Sequence, residues 1–129
     1  MIIFDTNALL RCFLQDDKEI ADSVQQQMNR EHFTVPVEVI AEIVYVLQKV
    51  YKIDRKTTEA AVLTLTRHEH ASTSELPVVQ EALHVYGETN FDFVDCLMIG
   101  YAKLKGHRVV TYDKKLRKIL DGFWIEGDS

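Results

Sequence analysis

Four acidic residues in this chain stand where they could do chemistry: Asp5, Glu42, Asp95 and Asp113. Asp5 closes the apolar run Met1–Phe4, and Asp113 follows Arg108-Val109-Val110-Thr111, so each falls just past a segment that reads as a short buried strand. Glu42 borders the apolar arc of a helix in which Val39, Ile40, Ile43, Val44, Val46, Leu47 and Val50 share one side at about 100° per residue. Asp95 has Met98, Ile99 and Ala102 as its neighbours one turn on, which places it within a core-facing stripe. A carboxylate there is costly unless a cation or hydrogen-bond donors compensate it. Each acid also has a plainer reading: Asp5 and Asp113 as helix caps, Glu42 as a solvated boundary residue, and Asp95 as a first-turn acid facing the helix dipole. Together they suggest more. Carboxylates that converge repel one another, and hard divalent cations such as Mg²⁺ and Mn²⁺ relieve the repulsion through oxygen ligands while keeping water for chemistry. Such an ion can activate water for in-line attack on a phosphodiester.

The elements that must position these acids alternate between strand and helix. Met1–Phe4 reads as a strand, followed by a helix over Ala8–Leu14 that Thr6 or Asn7 could cap, and a polar helix over about Glu19–Glu31. His32–Val35 reads as a second strand, and Pro36 suits the first turn of a helix over Val37–Tyr51. Asp54 caps a helix to about His68, Ala71–Leu76 is either a short strand or an extended link, and Val78–Glu88 and Asp92–Lys105 read as helices, the latter closed by Gly106. Arg108–Thr111 is expected to be a strand, with a short helix to Leu120 after it and an edge strand at Phe123–Ile125. This alternation argues for an α/β fold with a mainly parallel sheet covered on both faces, in which ligands gather at the carboxyl ends of the strands.

The 129 residues suit one domain, 1–129, and 47% apolar content is enough to fill a core. No apolar run reaches the roughly 18 residues of a membrane span, and the first residues lack the basic start and long apolar stretch of a signal peptide. Cys12 and Cys96 form no CxxC pattern, so they read as free thiols of a cytoplasmic protein. His68-x-His70 reads as a solvated helix end rather than a zinc site, and Trp124 as an edge-packing residue. The net charge of −5 is unevenly spread: residues 101–118 hold seven of the fifteen Lys and Arg, with Asp113 their only acid. A basic strip beside a carboxylate could hold a phosphodiester next to a metal, with Lys114 and Lys115 as the nearest candidates, although helix C-termini also favour such residues.

Four blocks in order carry a family resemblance: Ile3-Phe4-Asp5-Thr6-Asn7-Ala8-Leu9-Leu10; Val35-Pro36 through Ala41-Glu42-Ile43-Val44-Tyr45-Val46-Leu47; Asp92-Phe93-Val94-Asp95-Cys96-Leu97; and Val109-Val110-Thr111-Tyr112-Asp113-Lys114-Lys115-Leu116. The chain resembles the PIN-domain ribonucleases, and most closely the VapC-type toxins of bacterial toxin–antitoxin pairs. The resemblance implies a three-layer α/β fold and endoribonuclease activity that depends on Mg²⁺ or Mn²⁺, often against tRNA or another structured RNA. It also implies a homodimer neutralised by a small VapB-like antitoxin. It gives Asp5, Glu42, Asp95 and Asp113 the catalytic positions, with Asp5, Asp95 and Asp113 as metal ligands. Asn7 resembles the family's polar residue that orients the first aspartate, and Thr111 one that holds the fourth.

Other readings remain at this level. A housekeeping PIN nuclease would share the motifs but lack an antitoxin, and an inactive PIN domain would only bind RNA or protein. A receiver-type phosphoacceptor module wants an early acidic pair and an aspartate ending a central strand, and neither is present. A haloacid-dehalogenase-like phosphatase wants a second aspartate two residues after Asp5, where Asn7 stands.

Overall fold

The computed structural model describes residues 1–122. The expected edge strand at Phe123–Ile125, and Trp124 with it, lie outside the described residues. The chain forms two compact units, Met1–Leu76 and Pro77 onward.

The first unit begins with β1 (Ile2–Ile3), α1 (Thr6–Leu14) and α2 (Lys18–Arg30), and continues through β2 (Phe33–Thr34), α3 (Val37–Lys49), α4 (Arg55–Thr66) and β3 (Ala71–Ser72). The strands form a parallel sheet in the order β1-β2-β3, with Ile2 opposite Phe33 and Phe33 opposite Ala71. Parallel neighbours need helical crossovers, which α1–α2 and α3–α4 supply. Local chemistry sets the helix starts. Asp17 accepts from the Ile20 N–H at 3.1 Å and Asp54 from the Thr57 N–H at 2.7 Å, each opening a helix at the residue that follows. Pro36 stands at the cap position of α3 rather than in its first turn. In α2 the buried residues Ala21, Val24 and Met28 lie three and four apart, which gives that otherwise polar helix a single inward face. Phe4, Phe33, Val35, Ile40, Ile43 and Leu47 lie in the core.

His68 and His70 depart from expectation. Because α4 ends at Thr66, both fall in the turn before β3 and are partly buried. The His70 N–H donates to His68 Nδ1 at 3.0 Å, and His70 Nδ1 lies 2.7 Å from the Met28 carbonyl. The ring of His68 meets Phe33 edge-on. The pair ties the entry of β3 to the end of α2 rather than facing solvent.

The second unit holds α5 (Leu76–Glu88), α6 (Phe93–Lys105) and α7 (Lys114–Gly122). Gly106, at φ 68°, closes α6 in the left-handed conformation that glycine adopts without penalty. Ile99 and Ala102 of α6 bury against Leu116 and Leu120 of α7, with Val109 packed alongside. The expected strand Arg108–Thr111 has no strand partner among the described residues. Val109 and Thr111 are partly buried while Val110 is exposed, so the alternation of a strand is present without the pairing.

Gly100 explains how closely α6 packs on α5. A Cβ built there would stand 2.9 Å from the Val78 carbonyl oxygen and 3.1 Å from Val78 Cγ1. Gly100→Ala should therefore lower stability by about 1–2 kcal/mol, because overpacking against backbone outweighs the roughly 1 kcal/mol that alanine gains in helix propensity. A denaturant midpoint unchanged or raised by the substitution would contradict this packing.

Candidate functional site

In the first unit, Asp5 lies just past the carboxyl end of β1, and α3, which carries Glu42, leaves from the carboxyl end of the neighbouring β2. Asp5 is itself the cap of α1, in place of Thr6 or Asn7: its Oδ1 accepts from the Ala8 N–H at 2.8 Å. One carboxylate oxygen thus fixes the side chain, and the other keeps its lone pairs. Asn7 is exposed and makes no hydrogen bond to Asp5, so the cap, not Asn7, orients this acid in the structure. Glu42 is exposed, with no hydrogen bond or ion pair to a described residue.

In the second unit, Asp113 repeats the arrangement of Asp5. Its Oδ1 accepts from the Leu116 N–H at 2.9 Å at the start of α7, while its own N–H donates to Thr111 Oγ1 at 3.1 Å. Asp95 differs from both. It is partly buried in the first turn of α6 and accepts no hydrogen bond from a described residue. Its carboxyl is pushed above the ordinary aspartate range, first by burial, then by the negative charges of Asp92 and Asp113. Asp92 and Asp113 therefore both stand near enough to Asp95 for their charges to act on it.

Asp92 opens the same block as Asp95, three residues ahead of it, and is not among the four candidate acids. It does occupy the cap position of α6, but its side chain makes no capping bond. The signal was available: acids three apart in one helix turn are neighbours.

The basic strip is narrower than its sequence suggests. Lys103 is committed to Glu81 at 3.0 Å. Arg108, Lys114, Lys115, Arg117 and Lys118 are exposed. Both thiols are free, Cys96 buried and Cys12 partly buried, and burial raises the pKa of Cys12, so neither is a poised nucleophile.

These acids offer hard oxygen donors of the kind that Mg²⁺ and Mn²⁺ take. Among the described residues, no three His, Cys, Asp or Glu side chains stand in position to enclose an ion. The repulsion at Asp95 is nevertheless what a divalent cation would relieve.

The PIN-domain family model matches residues 2–121, spanning both units. The chain is a PIN-domain protein of the VapC type. It is 31% identical over 125 residues to a VapC ribonuclease of Aquifex aeolicus (strain VF5), covering 92% of each chain. No solved structure matches. The parallel sheet and seven described helices agree with the expected α/β PIN fold. No described helix of this VapC-type chain is long and apolar enough to cross a membrane.

Proposed function

We propose that the protein is a metal-dependent endoribonuclease, the toxin of a toxin–antitoxin pair, which cleaves a structured RNA such as tRNA. The observation that carries this reading is Asp95: an acid with no donor among the described residues, made harder to ionise first by burial and then by Asp92 and Asp113, in a chain similar to a VapC ribonuclease. Asp5, Asp95 and Asp113 would hold the ion and Glu42 would complete the catalytic set, an assignment that rests on the order of the motif blocks. When bound, Mg²⁺ or Mn²⁺ supplies an activated water and stabilises charge developing on the phosphate. Asp5 and Asp113 each bring an oxygen already aimed by a helix cap, so little side-chain entropy is lost on binding. Glu42 is exposed and pairs with no described residue. Lys114 and Lys115, exposed and next to Asp113 in the chain, would hold the RNA backbone. An acidic centre with a basic rim also suits inhibition by an Arg or Lys of a small VapB-like antitoxin. Free thiols and an RNA substrate fit a cytoplasmic location.

Purified protein should cut RNA when Mg²⁺ or Mn²⁺ is added and stop when EDTA is added. Undiminished cleavage in EDTA, with contaminating nucleases excluded, would remove the proposed chemistry. An adjacent small gene whose product binds and inhibits the protein would support the toxin reading over a housekeeping nuclease.

The α3 helix and the turn after it expose Tyr45, Val50 and Tyr51, apolar side chains that a second copy could cover. We propose a two-fold homodimer through this surface. Light scattering should show a dimer at tens of micromolar, roughly the range in which a stable interface is occupied; a monomer alone would count against it.

A further inference from the structure

An open concavity of about 490 Å³ lies in the second unit, bordered by the 108–112 segment and by α7. Arg108 and Arg117 stand at its lining, with Tyr112, Thr111, Leu120 and Asp121. This size falls in the range of small-molecule sites and suits one nucleotide rather than a peptide helix. Both arginines are exposed and neither pairs with a described residue, and a guanidinium fork is the group that suits a phosphate. Tyr112 is 86% exposed, although aromatic rings are usually covered. Its neighbour Thr111 both lines the concavity and accepts from the N–H of Asp113, which ties the concavity to that acid.

We propose that this concavity holds a nucleotide of the RNA flanking the cleaved bond, its base stacked on Tyr112 and its phosphate held by Arg108 and Arg117. The assignment rests on the ribonuclease reading and adds to it a residue set for binding and base preference. The chemistry favours RNA over an acidic protein segment. An acidic side chain would use the arginines but would leave the ring without a partner, whereas a nucleotide uses both. Stacking on an exposed ring is tolerant of sequence, and the Asp121 carboxylate adds an acceptor for an exocyclic amino group, as on adenine, cytosine or guanine. Uracil presents no such amino group.

The test is binding without cleavage. The full chain is titrated in EDTA against fluorescein-labelled RNA decamers, one random in sequence, one oligo-A and one oligo-U, and read by anisotropy. Tyr112→Ala should weaken binding about tenfold while Tyr112→Phe keeps it, since the ring and not the hydroxyl stacks. Arg108→Ala and Arg117→Ala should each weaken binding and flatten the dependence of log affinity on log salt by about 0.7, the value of one phosphate contact on a single strand. Asp121→Asn should narrow the preference for oligo-A over oligo-U. All four side chains border open space, so melting temperatures should stay near wild type. Wild-type affinity in the tyrosine and arginine variants, or no RNA binding by the wild type, overturns the proposal. So does unchanged RNA binding with lost binding to the product of the adjacent small gene, which would give the concavity to a protein partner. Because no metal chemistry is read, failure of the ribonuclease reading shows separately: these variants would lose RNA binding while the wild type failed to cut RNA with Mg²⁺.

Discussion

Asp95→Asn is expected to abolish RNA cleavage and weaken Mn²⁺ binding, while leaving the metal-free protein as stable as wild type or more so. The two effects run in opposite directions because one feature causes both. Asp95 is partly buried, and its ionised form is opposed by desolvation and by Asp92 and Asp113. A bound cation would turn that cost into attraction, and without one the cost falls on the fold. The sign follows from linkage. A carboxyl raised in the folded state binds its proton more tightly there than in the unfolded chain, so this group's contribution to stability falls as pH rises above the ordinary aspartate range. Asparagine has no such slope. On going from pH 4 to pH 7 in EDTA, the melting temperature should therefore rise more, or fall less, in the variant than in wild type. Cleavage should fall by at least about a hundredfold, the order of loss on removing one group that stabilises a transition state. Asp92→Asn is the control. It loses no capping bond, so its metal-free melting temperature should hold, and it should keep most of the cleavage. An active Asp95→Asn beside a dead Asp92→Asn would reverse the two roles, and a clear loss of metal-free stability in Asp95→Asn would mean that its carboxylate is a structural group.

Helices were the most legible part of this sequence, because their signals are local. Asp54 and Gly106 mark a start and an end that the structure keeps, and the three- and four-residue spacing of Ala21, Val24 and Met28 suffices to orient α2. Strands were less legible, because a strand is defined by its partner. Phe33–Thr34 finds neighbours on both sides, whereas Arg108–Thr111 has the same apolar, β-branched character and no partner among the described residues. Contacts distant in the chain were not legible at all. Treating His68 and His70 as one solvated helix end assumed that α4 continued, and their anchor is a carbonyl 42 residues away in the chain. For the candidate site, residue types and order were readable, and so was the inward bias of Asp95. The division of labour within each carboxylate was not. Capping and chemistry appeared as alternatives for Asp5 and Asp113, but a carboxylate has two oxygens, and the structure commits only one.

That division gives the second large effect, which separates the fold role of Asp5 from its chemical role. Asp5→Asn should lose cleavage by at least about a hundredfold and yet melt close to wild type. Asparagine caps a helix about as well as aspartate, and its side-chain oxygen can accept from the Ala8 N–H as Oδ1 does now. What it lacks is the charge that a metal ion would need. Asp5→Ala should lose cleavage to the same degree and also cost about 1 kcal/mol of stability, since the Ala8 donor is left without its partner. Asp5→Ser should cap again, recovering stability without recovering activity. Asp113 offers the same test at α7 through the Leu116 N–H. The measurement pairs a cleavage rate with a denaturation midpoint for each substitution. Activity that followed the midpoint across Asn, Ser and Ala, instead of being lost in all three, would make Asp5 a cap alone and would take the first acid out of the proposed metal centre.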